Sequence, residues 1–261
     1  MTQSRPNSGI KAFGFGRIAF WRGGSVWVGR SEEAGFHEHH AIQIGIALAG
    51  GMLRLRRPNQ EWTAQAAAIV AANQPHAFEG GGELVALVFA EPESREGRVL
   101  KQRYRDAICA LDAGLLAGEA AALAAAFAQP VANDELVRRA QAVITRLTAL
   151  EPLPVKPLDA RIAHAIEVIR TQLDQPVSMA DIAEAVHLSP ERFRHLFLEQ
   201  TGIRFRPYVL WLRMEMAVAA YAAGSSLTEA AQAGGFADSA HFSRSFKRMF
   251  GVPAISVQRA T

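Results

Sequence analysis

Short apolar runs separated by turn-forming residues dominate the first 92 residues of the chain. The runs are bounded by Gly, Pro, Asn or Glu, and they lie at residues 25–28, 43–48, 52–56, 68–70 and 84–89. From Leu53 to Arg56, leucine and arginine alternate, which is the period of a strand with one buried face. Closely spaced short strands with glycine-rich turns predict an antiparallel sandwich or barrel for this part of the chain.

The spacing of apolar positions becomes helical from about Arg98. One predicted helical face carries Leu100, Tyr104, Ile108 and Leu111. Further on, Asn133 is placed to cap a helix that begins at Asp134. The apolar positions of that helix alternate in spacings of four and three, which is typical of a narrow packing seam. These positions are Leu136, Ala140, Val143, Leu147 and Leu150. The stripe predicts either packing on its own domain or, as the favoured interpretation, a dimer seam.

A proline-rich segment divides the chain into two parts. Residues 152–157 contain three prolines, which favour extended backbone and stop helices, and we take residues 152–158 as a linker. The predicted domains are a β-barrel at residues 1–95 with a helical dimerisation segment at 96–151, and an all-α domain at 159–261. The fold class is therefore a two-domain α+β protein.

Two helix-turn-helix patterns follow one another in the C-terminal domain. In the first, at about 179–201, Ser178 and Ser189 are predicted helix caps on either side of a three-residue turn. In the second, at about 227–250, Ser226 and Asp238 have the same roles. A long helix over residues 207–223 is predicted between them. Two such patterns in tandem, each with caps and aromatic anchors, are a much stronger signal than one.

The predicted second helix of each pattern has one aromatic face and one polar face. Phenylalanines at positions 242, 246 and 250 recur every four residues and must be buried, whereas residues 239–250 carry three cations and no acid. Small polar residues at a helix start with cations further on suit a helix that enters the major groove of DNA.

The second pattern closely resembles the AraC/XylS family of bacterial transcription regulators, in the run from Leu227 to Pro253. The upstream residues Ser189-Pro190, Phe193, Phe197, Thr201-Gly202, Pro207-Tyr208 and Arg213 fit as well. The resemblance extends over about 100 residues. The sequence departs from the family pattern at Ala230, where isoleucine is usual, and at residues 254–257, which lack the usual tyrosine. Both departures concern packing more than DNA reading.

The resemblance implies roles for individual residues. The expected base-reading residues are Glu191, Arg194, His195, Ser239, Ala240 and Arg244. The expected phosphate contacts are Arg192, Ser243, Lys247 and Arg248. It further implies double-stranded promoter DNA as partner, a homodimer, contact with RNA polymerase in activators, and a cupin-like N-terminal barrel that senses a small molecule.

A histidine-rich segment tests the cupin-like expectation. His37 and His39, with Gln43 in the place where cupin enzymes have Glu, follow the first cupin motif, and His76 falls at the histidine of the second. On a strand, the first three share one face. Three imidazoles and an oxygen ligand suit a divalent Zn, Fe, Mn, Ni or Cu ion. Three interpretations stay open: polar lining of an organic effector pocket, which is favoured, a metal site, or histidines without a role.

Composition narrows the functional classes. Net charge is only +3 over 261 residues, so bulk charge neither indicates nor excludes nucleic-acid binding. One cysteine rules out an intrachain disulfide, and we see neither a secretory signal nor an apolar run approaching the roughly 20 residues of a membrane span, so a cytoplasmic location is expected. The predicted function is a ligand-responsive transcription regulator that is not an enzyme. The alternative is a metal-dependent cupin enzyme fused to a DNA-binding domain.

Overall fold

The computed structural model describes residues 16–129, 131–151 and 153–257. The strands are β1 (Gly16–Trp21), β2 (Gly24–Arg30), β3 (Glu33–His37), β4 (Ile42–Ala47), β5 (Leu53–Arg56), β6 (Thr63–Gln65), β7 (Ala67–Val70), β8 (His76–Glu79), β9 (Leu84–Ala90) and β10 (Ile108–Ala110). The α-helices are α1 (Arg95–Arg103), α2 (Ala117–Ala128), α3 (Asn133–Thr148), α4 (Ala160–Thr171), α5 (Met179–Ala185), α6 (Pro190–Thr201), α7 (Phe205–Ala222), α8 (Leu227–Ala233) and α9 (Ser239–Phe250). Short 3-10 helices lie at Ala113–Leu116 and Ala254–Ser256. None of the helices in these ranges is both long and apolar enough to cross a membrane.

The N-terminal strands form two antiparallel sheets. The larger has the order β1-β2-β9-β4-β7-β10, and the smaller has the order β3-β8-β5-β6. One face of the larger sheet packs on α1, α2 and α3, and the opposite face shares a core cluster with the smaller sheet and the C-terminal helices. Since β9 is covered on both faces, its sequence is a continuous apolar run. The predicted two-domain α+β class is confirmed.

The helix predicted from Arg98 to Leu111 is wrong in its second half. Helix α1 ends at Arg103, and Ile108–Ala110 instead form β10, which pairs with β7. Without this strand, the edge of β7 would leave backbone N–H and C=O groups unpaired. Asn133 is likewise not the cap of α3 but its first residue, because Ala132 occupies the cap position.

The structure corrects the predicted dimer seam on α3. Leu136, Ala140, Val143 and Leu147 are each at most 1% exposed, and they belong to the core cluster formed with the larger sheet. A side chain that is covered within one chain cannot also face a second copy. The helix therefore packs on its own domain, which was the alternative interpretation of the stripe. Only Leu150, at 44% exposure, lies at the surface.

Helix caps in the C-terminal domain largely match the sequence pattern. The Ser189 and Asp238 side chains accept hydrogen bonds from backbone N–H groups of α6 and α9, and Ser226 forms a full capping box with α8. Ser178 occupies the cap position of α5 but its side chain makes no capping bond. Helix α7 begins two residues earlier than expected, at Phe205. Residues 153–159, beside the predicted linker proline at 152, form no helix or strand.

Candidate nucleic-acid interface and interdomain site

The exposed face of α6 carries an ion-paired group of side chains. Glu191, Arg194 and His195 are all exposed, as is Arg192. The Arg194 guanidinium donates to Glu191 Oε1 at 2.7 Å, and His195 Nε2 lies 2.6 Å from the same oxygen. Hydrogen bonds from these partners lower the pKa of the Glu191 carboxyl. The structure brings the three predicted base-reading residues together, but one carboxylate contacts both the Arg194 and the His195 side chains.

The exposed face of α9 is cationic and unpaired. Arg244, Lys247 and Arg248 are exposed, and within the described part of the chain none of them forms an ion pair or a side-chain hydrogen bond. Ala240 is exposed on the same helix, while Ser239 and Ser243 are half-buried. The opposite face is anchored by Phe242 and Phe246, which are 0% and 4% exposed. This helix therefore presents unpaired positive charge on one face and is held to the core by the other.

The predicted histidine cluster forms, although not on one strand. His37 ends β3 and pairs across the smaller sheet with His76 of β8, whereas His39 lies in the connection before β4. Gln43 belongs to β4 in the larger sheet. One ring nitrogen from each histidine lies within 4.8 Å of those of the other two, and all three rings are buried. The expected convergence is correct, but a turn and cross-strand pairing create it instead of strand alternation.

Burial holds these histidines in the neutral state. It lowers the pKa of His37 to about 3, with a further contribution from the nearby His39. The pKa of His76 is also well below its ordinary value, because of burial and then of His37, and burial lowers that of His39. Neutral imidazoles can donate a lone pair to a metal ion or hydrogen-bond a polar ligand.

A cavity of about 70 Å³ lies beside the histidines, between the two domains. The N-terminal sheets contribute His37, Gln43 and aromatic side chains such as Trp27 and Phe89, and the C-terminal domain contributes aromatic and aliphatic side chains from α7 and α9. Among its described lining residues, Glu215 is the one carboxyl group, and neither Lys nor Arg is present. The space is mostly apolar, with a few polar groups at its walls, which is typical of a small-molecule site.

A buried polar cluster, not anticipated from the sequence, joins the domains. His40 and Glu93 of the N-terminal domain are bonded at 2.8 Å, and the Tyr208 hydroxyl of α7 donates to Glu93 at 2.7 Å. Arg170 of α4 pairs with Glu91 and lies 3.7 Å from Glu215. Each of these groups is paired, as buried charges require. The cluster links the N-terminal sheets to two helices of the C-terminal domain.

The carboxyl groups of this cluster titrate differently. Burial and the nearby Glu93 raise the pKa of Glu91, and burial and Glu91 raise that of Glu215 well above its ordinary value. Burial alone would raise the pKa of Glu93 too, but His40 and the Tyr208 hydroxyl bring it below its ordinary value. A hint in the sequence was available, because Glu91 and Glu93 follow a strand that is apolar throughout.

The end of α9 rests directly on the histidine cluster. The Phe250 ring stacks on His39, with centroids 6.1 Å apart and an interplanar angle of 29°. Gly251, in the left-handed region at φ 72°, is so close to β3 that a Cβ atom there would lie 2.5 Å from the Gly35 carbonyl oxygen and 2.8 Å from His37 Nδ1. The end of α9 and the histidines are therefore in direct contact.

Comparisons with known proteins identify the C-terminal region. The family described as "Helix-turn-helix domain" matches residues 182–260. The HTH-type transcriptional regulator YidL of Escherichia coli K12 is 34% identical over 106 residues, which are 40% of this chain and 36% of that protein. The probable transcriptional regulator LumQ of Photobacterium leiognathi is 32% identical over 85 residues, covering 32% of this chain and 34% of LumQ. The matched segment thus spans about a third of each relative.

The whole fold has a structural counterpart. The ToxT structure from Vibrio cholerae O395 has a TM-score of 0.60 at 13% identity, covering 92% of this chain and 100% of that one. The unsaturated fatty acid-bound wild-type ToxT of strain SCE256 has a TM-score of 0.55 at 14% identity, covering 92% and 93%. At such identities the likeness concerns the fold. The C-terminal region of the chain thus matches the helix-turn-helix domain family, and it is joined to an N-terminal β-sheet domain in a ToxT-like two-domain architecture.

Proposed function

We propose that this protein is a sequence-specific, DNA-binding transcription regulator in which α6 and α9 enter successive major grooves. The observation that carries the proposal is the exposed, unpaired cationic face of α9 on a buried aromatic anchor. Base edges would be read by Glu191, Arg194, His195, Ser239, Ala240 and Arg244. Phosphates would be bound by Arg192, Ser243, Lys247 and Arg248. Phosphate contacts fix the register of a helix in the groove, and base contacts supply specificity.

The N-terminal domain would supply control through a small molecule in the interdomain cavity. Both domains line this cavity, so a bound ligand would favour one arrangement of the domains over another. The ToxT structure described above binds an unsaturated fatty acid. In this chain, the described lining residues include neither Lys nor Arg, so a carboxylate ligand would lose its hydration there without a cationic side chain to replace it. We therefore propose a neutral, largely apolar effector.

Matched probes test this charge preference. Pentan-1-ol and pentanoate have the same chain length, and their binding can be compared by ligand-observed NMR at neutral pH. We expect the alcohol to bind detectably and the carboxylate to bind at least about tenfold more weakly, since burying an ionised carboxylate without a cationic partner costs free energy. Equal binding of both probes, or tighter binding of pentanoate, would contradict the proposed effector class.

Oligomerisation and polymerase contact complete the proposal. A homodimer would bind two half-sites on promoter DNA, through a surface other than the four covered residues of α3, and an activator of this type would contact RNA polymerase. The histidine cluster contains no carboxylate for acid–base catalysis, and this supports a non-enzymatic role over the cupin-enzyme alternative.

DNA binding is tested directly with the full chain. Duplexes selected from a randomised library are compared with shuffled duplexes by fluorescence anisotropy across a salt series. We expect a preference of about 10³-fold or more and a steep salt dependence. Lys247→Ala should weaken binding to all sequences and reduce the salt slope by about one, whereas Arg57→Ala, an exposed cation in the N-terminal domain, should change neither. Equal, weak binding to both sets of duplexes would reject the proposal.

A further inference from the structure

The hydrogen bonds of the three clustered histidines determine which ring nitrogen is free. His37 Nδ1 lies 2.7 Å from the Gly35 carbonyl, and His39 Nδ1 lies 2.9 Å from the Ala41 carbonyl. His76 Nδ1 lies 2.8 Å from another backbone carbonyl, that of residue 74. A carbonyl oxygen only accepts, so each Nδ1 must carry the proton. A neutral imidazole has one N–H, so each Nε2 has an unprotonated lone pair.

One of these lone pairs, that of His76, lacks a donor among the described residues. His76 Nε2 is buried without a hydrogen-bond partner. His39 Nε2 lies 3.1 Å from Gln43 Oε1, which is also an acceptor in the arrangement observed. A buried acceptor without a donor costs free energy, and two facing acceptors repel. The His37 and His76 ring centroids are only 4.2 Å apart, and one ring nitrogen of each of the three histidines lies within 4.8 Å of the other two, so the three rings share one buried space. A cation would satisfy all of these atoms together.

The donor set selects a class of cation. Three imidazole nitrogens and one amide oxygen suit late first-row divalent ions such as Zn²⁺ or Co²⁺, and they do not suit Ca²⁺ or Mg²⁺, which prefer oxygen ligands. The backbone carbonyls on each Nδ1–H are the type of second partner that orients metal-binding histidines. We propose that His37, His39 and His76 bind a divalent transition-metal ion through Nε2, with Gln43 Oε1 as oxygen donor, and that this ion controls the docking of α9.

The contact with α9 supplies the coupling. Metal–nitrogen bonds of about 2.0–2.1 Å require the ring nitrogens to approach one another more closely than the present limit of 4.8 Å. Such movement would turn His39 beneath Phe250 and His37 beneath Gly251. The end of α9 would therefore adjust to metal binding. The consequence for DNA reading rests on the proposed function, whereas metal binding itself does not.

Metal binding is tested by titrating the purified full chain with Co²⁺ and following visible absorption, and with Zn²⁺ by calorimetry. We expect one metal ion to bind per chain. The visible absorption of bound Co²⁺ should be intense, as it is when the ion has a low coordination number. His76→Gln should weaken binding by about 100-fold or more, the upper range for loss of even a supporting partner. His241→Gln, which alters a histidine outside the cluster, should bind normally. A wild-type chain without a stoichiometric site, or a His76→Gln chain that binds normally, would overturn the site.

A second variant protects the test against misfolding. Gln43→Met removes the oxygen donor with little change in volume, and circular dichroism checks that both variants remain folded. If His76→Gln is unfolded, the Gln43→Met result decides: tighter or unchanged Zn²⁺ binding would remove Gln43 from the site, and at least tenfold weaker binding would support it. The midpoint temperature of thermal unfolding of the wild-type chain should also rise when Zn²⁺ is added and return to its metal-free value when a chelator is added.

The effect of metal binding on α9 is measured first by hydrogen exchange and then by DNA affinity. Zn²⁺ should change amide protection in β3 and at the end of α9, and leave α5 and α6 unchanged. Zn²⁺ should shift DNA affinity by at least fivefold, and DNA should shift Zn²⁺ affinity by the same factor. Stoichiometric Zn²⁺ binding with unaltered exchange in α9 would overturn the control of docking. Loss of all DNA preference, with the metal site intact, would reject the proposed function and leave the metal site standing.

Discussion

The two recognition helices, α6 and α9, are built alike but are placed in different surroundings. Each is capped by a short polar side chain at its start, at Ser189 and Asp238, and each ends at a glycine in the left-handed region, Gly202 and Gly251. On α6, one carboxylate contacts both Arg194 and His195, whereas the cations of α9 have no partner within the described residues. The same local fold therefore presents neutralised charge in one unit and available charge in the other.

The ends of the two helices differ as well. A Cβ atom on Gly202 would meet only the flexible Lys101 Nζ at 3.7 Å, while one on Gly251 would collide with the backbone of β3. Of these two helices, only α9 thus ends in tight contact with the backbone of the N-terminal domain. The difference teaches that, of the two units, the second is the one whose last helix ends against the N-terminal sheets.

The largest effects on stability are expected at the buried phenylalanines, where the two units should respond alike. Phe193→Ala and Phe242→Ala each empty a fully buried site, so each should lower the free energy of unfolding by about 3–5 kcal/mol in denaturant titrations. Phe36→Ala, at a ring that is 48% exposed, is the control and should cost much less. A negligible cost at Phe242 would show that α9 lacks the aromatic anchor described above.

Substitutions at the glycines that end the two helices distinguish the strain of a left-handed residue from the effect of contact between the domains. Gly202→Ala should cost about 1 kcal/mol, the conformational penalty of a left-handed residue. Gly251→Ala should cost about 2–4 kcal/mol, because overpacking against β3 adds about 1–3 kcal/mol. Denaturant titrations give the costs, and hydrogen exchange should show increased opening of β3 in Gly251→Ala alone. Equal costs in the two variants would mean that the contact of α9 with β3 is not tight in solution.

The arginines of the two helices test the charge difference. Arg244→Ala should weaken specific DNA binding by about 1–3 kcal/mol and relax the preference at one base position. Arg194→Ala should cost less, since that arginine must first leave Glu191. Anisotropy on specific and shuffled duplexes measures both. A loss at Arg244 that is equal on all sequences would reassign it to phosphate.

The smallest change should make the two helices more similar. Glu191→Gln frees Arg194 and His195 and removes a negative charge near phosphate, so non-specific affinity should rise by less than about 1 kcal/mol, the usual scale of an exposed ion pair. The steepness of the salt dependence measures this. Glu199→Gln, on the same helix but outside these pairs, is the control. Unchanged non-specific affinity would show that Glu191 does not limit phosphate binding.

Local signals explain how much of the fold could be predicted. Caps, terminal glycines and four-residue phenylalanine spacing lie within each helix-turn-helix unit, so α5 to α9 were placed within two residues of their ends. The tandem pattern was also specific enough to indicate the domain family. Likewise, an uninterrupted apolar run indicates β9, because strands covered on both faces have this composition.

What the sequence could not indicate depends on distant partners. Ile108 fits a helical face, yet the unpaired edge of β7 makes it a strand residue. The stripe on α3 identifies a buried face but not the surface that buries it. The interdomain cluster is the clearest case, since Tyr208 and Glu93 are 115 positions apart and neither is unusual in its own segment. The histidine cluster was predicted in membership, while its geometry comes from a turn and a cross-strand pair.

The carboxyl cluster between the domains makes their association a proton-binding reaction. Glu91 and Glu215 have raised pKa values in the docked arrangement, where they face Glu93, Arg170, His40 and Tyr208. Parted domains would hydrate these carboxyls and release their protons, so docking takes up protons at pH values above the ordinary 4.5. Glu93, with its lowered pKa, is ionised in both arrangements there and contributes nothing.

Docking should therefore weaken as pH rises through the raised pKa values, by up to about tenfold per pH unit for each proton released. Proteolysis within residues 153–159 should become faster as the pH rises, because the domains part. Glu215→Gln replaces a titrating carboxyl with a neutral amide and should reduce this pH dependence. The control Glu184→Gln, at an exposed position, should not change it. In such a protein, acidity acts as a second input beside the effector: the same concentration of ligand would produce different promoter occupancy in acidic and alkaline cells.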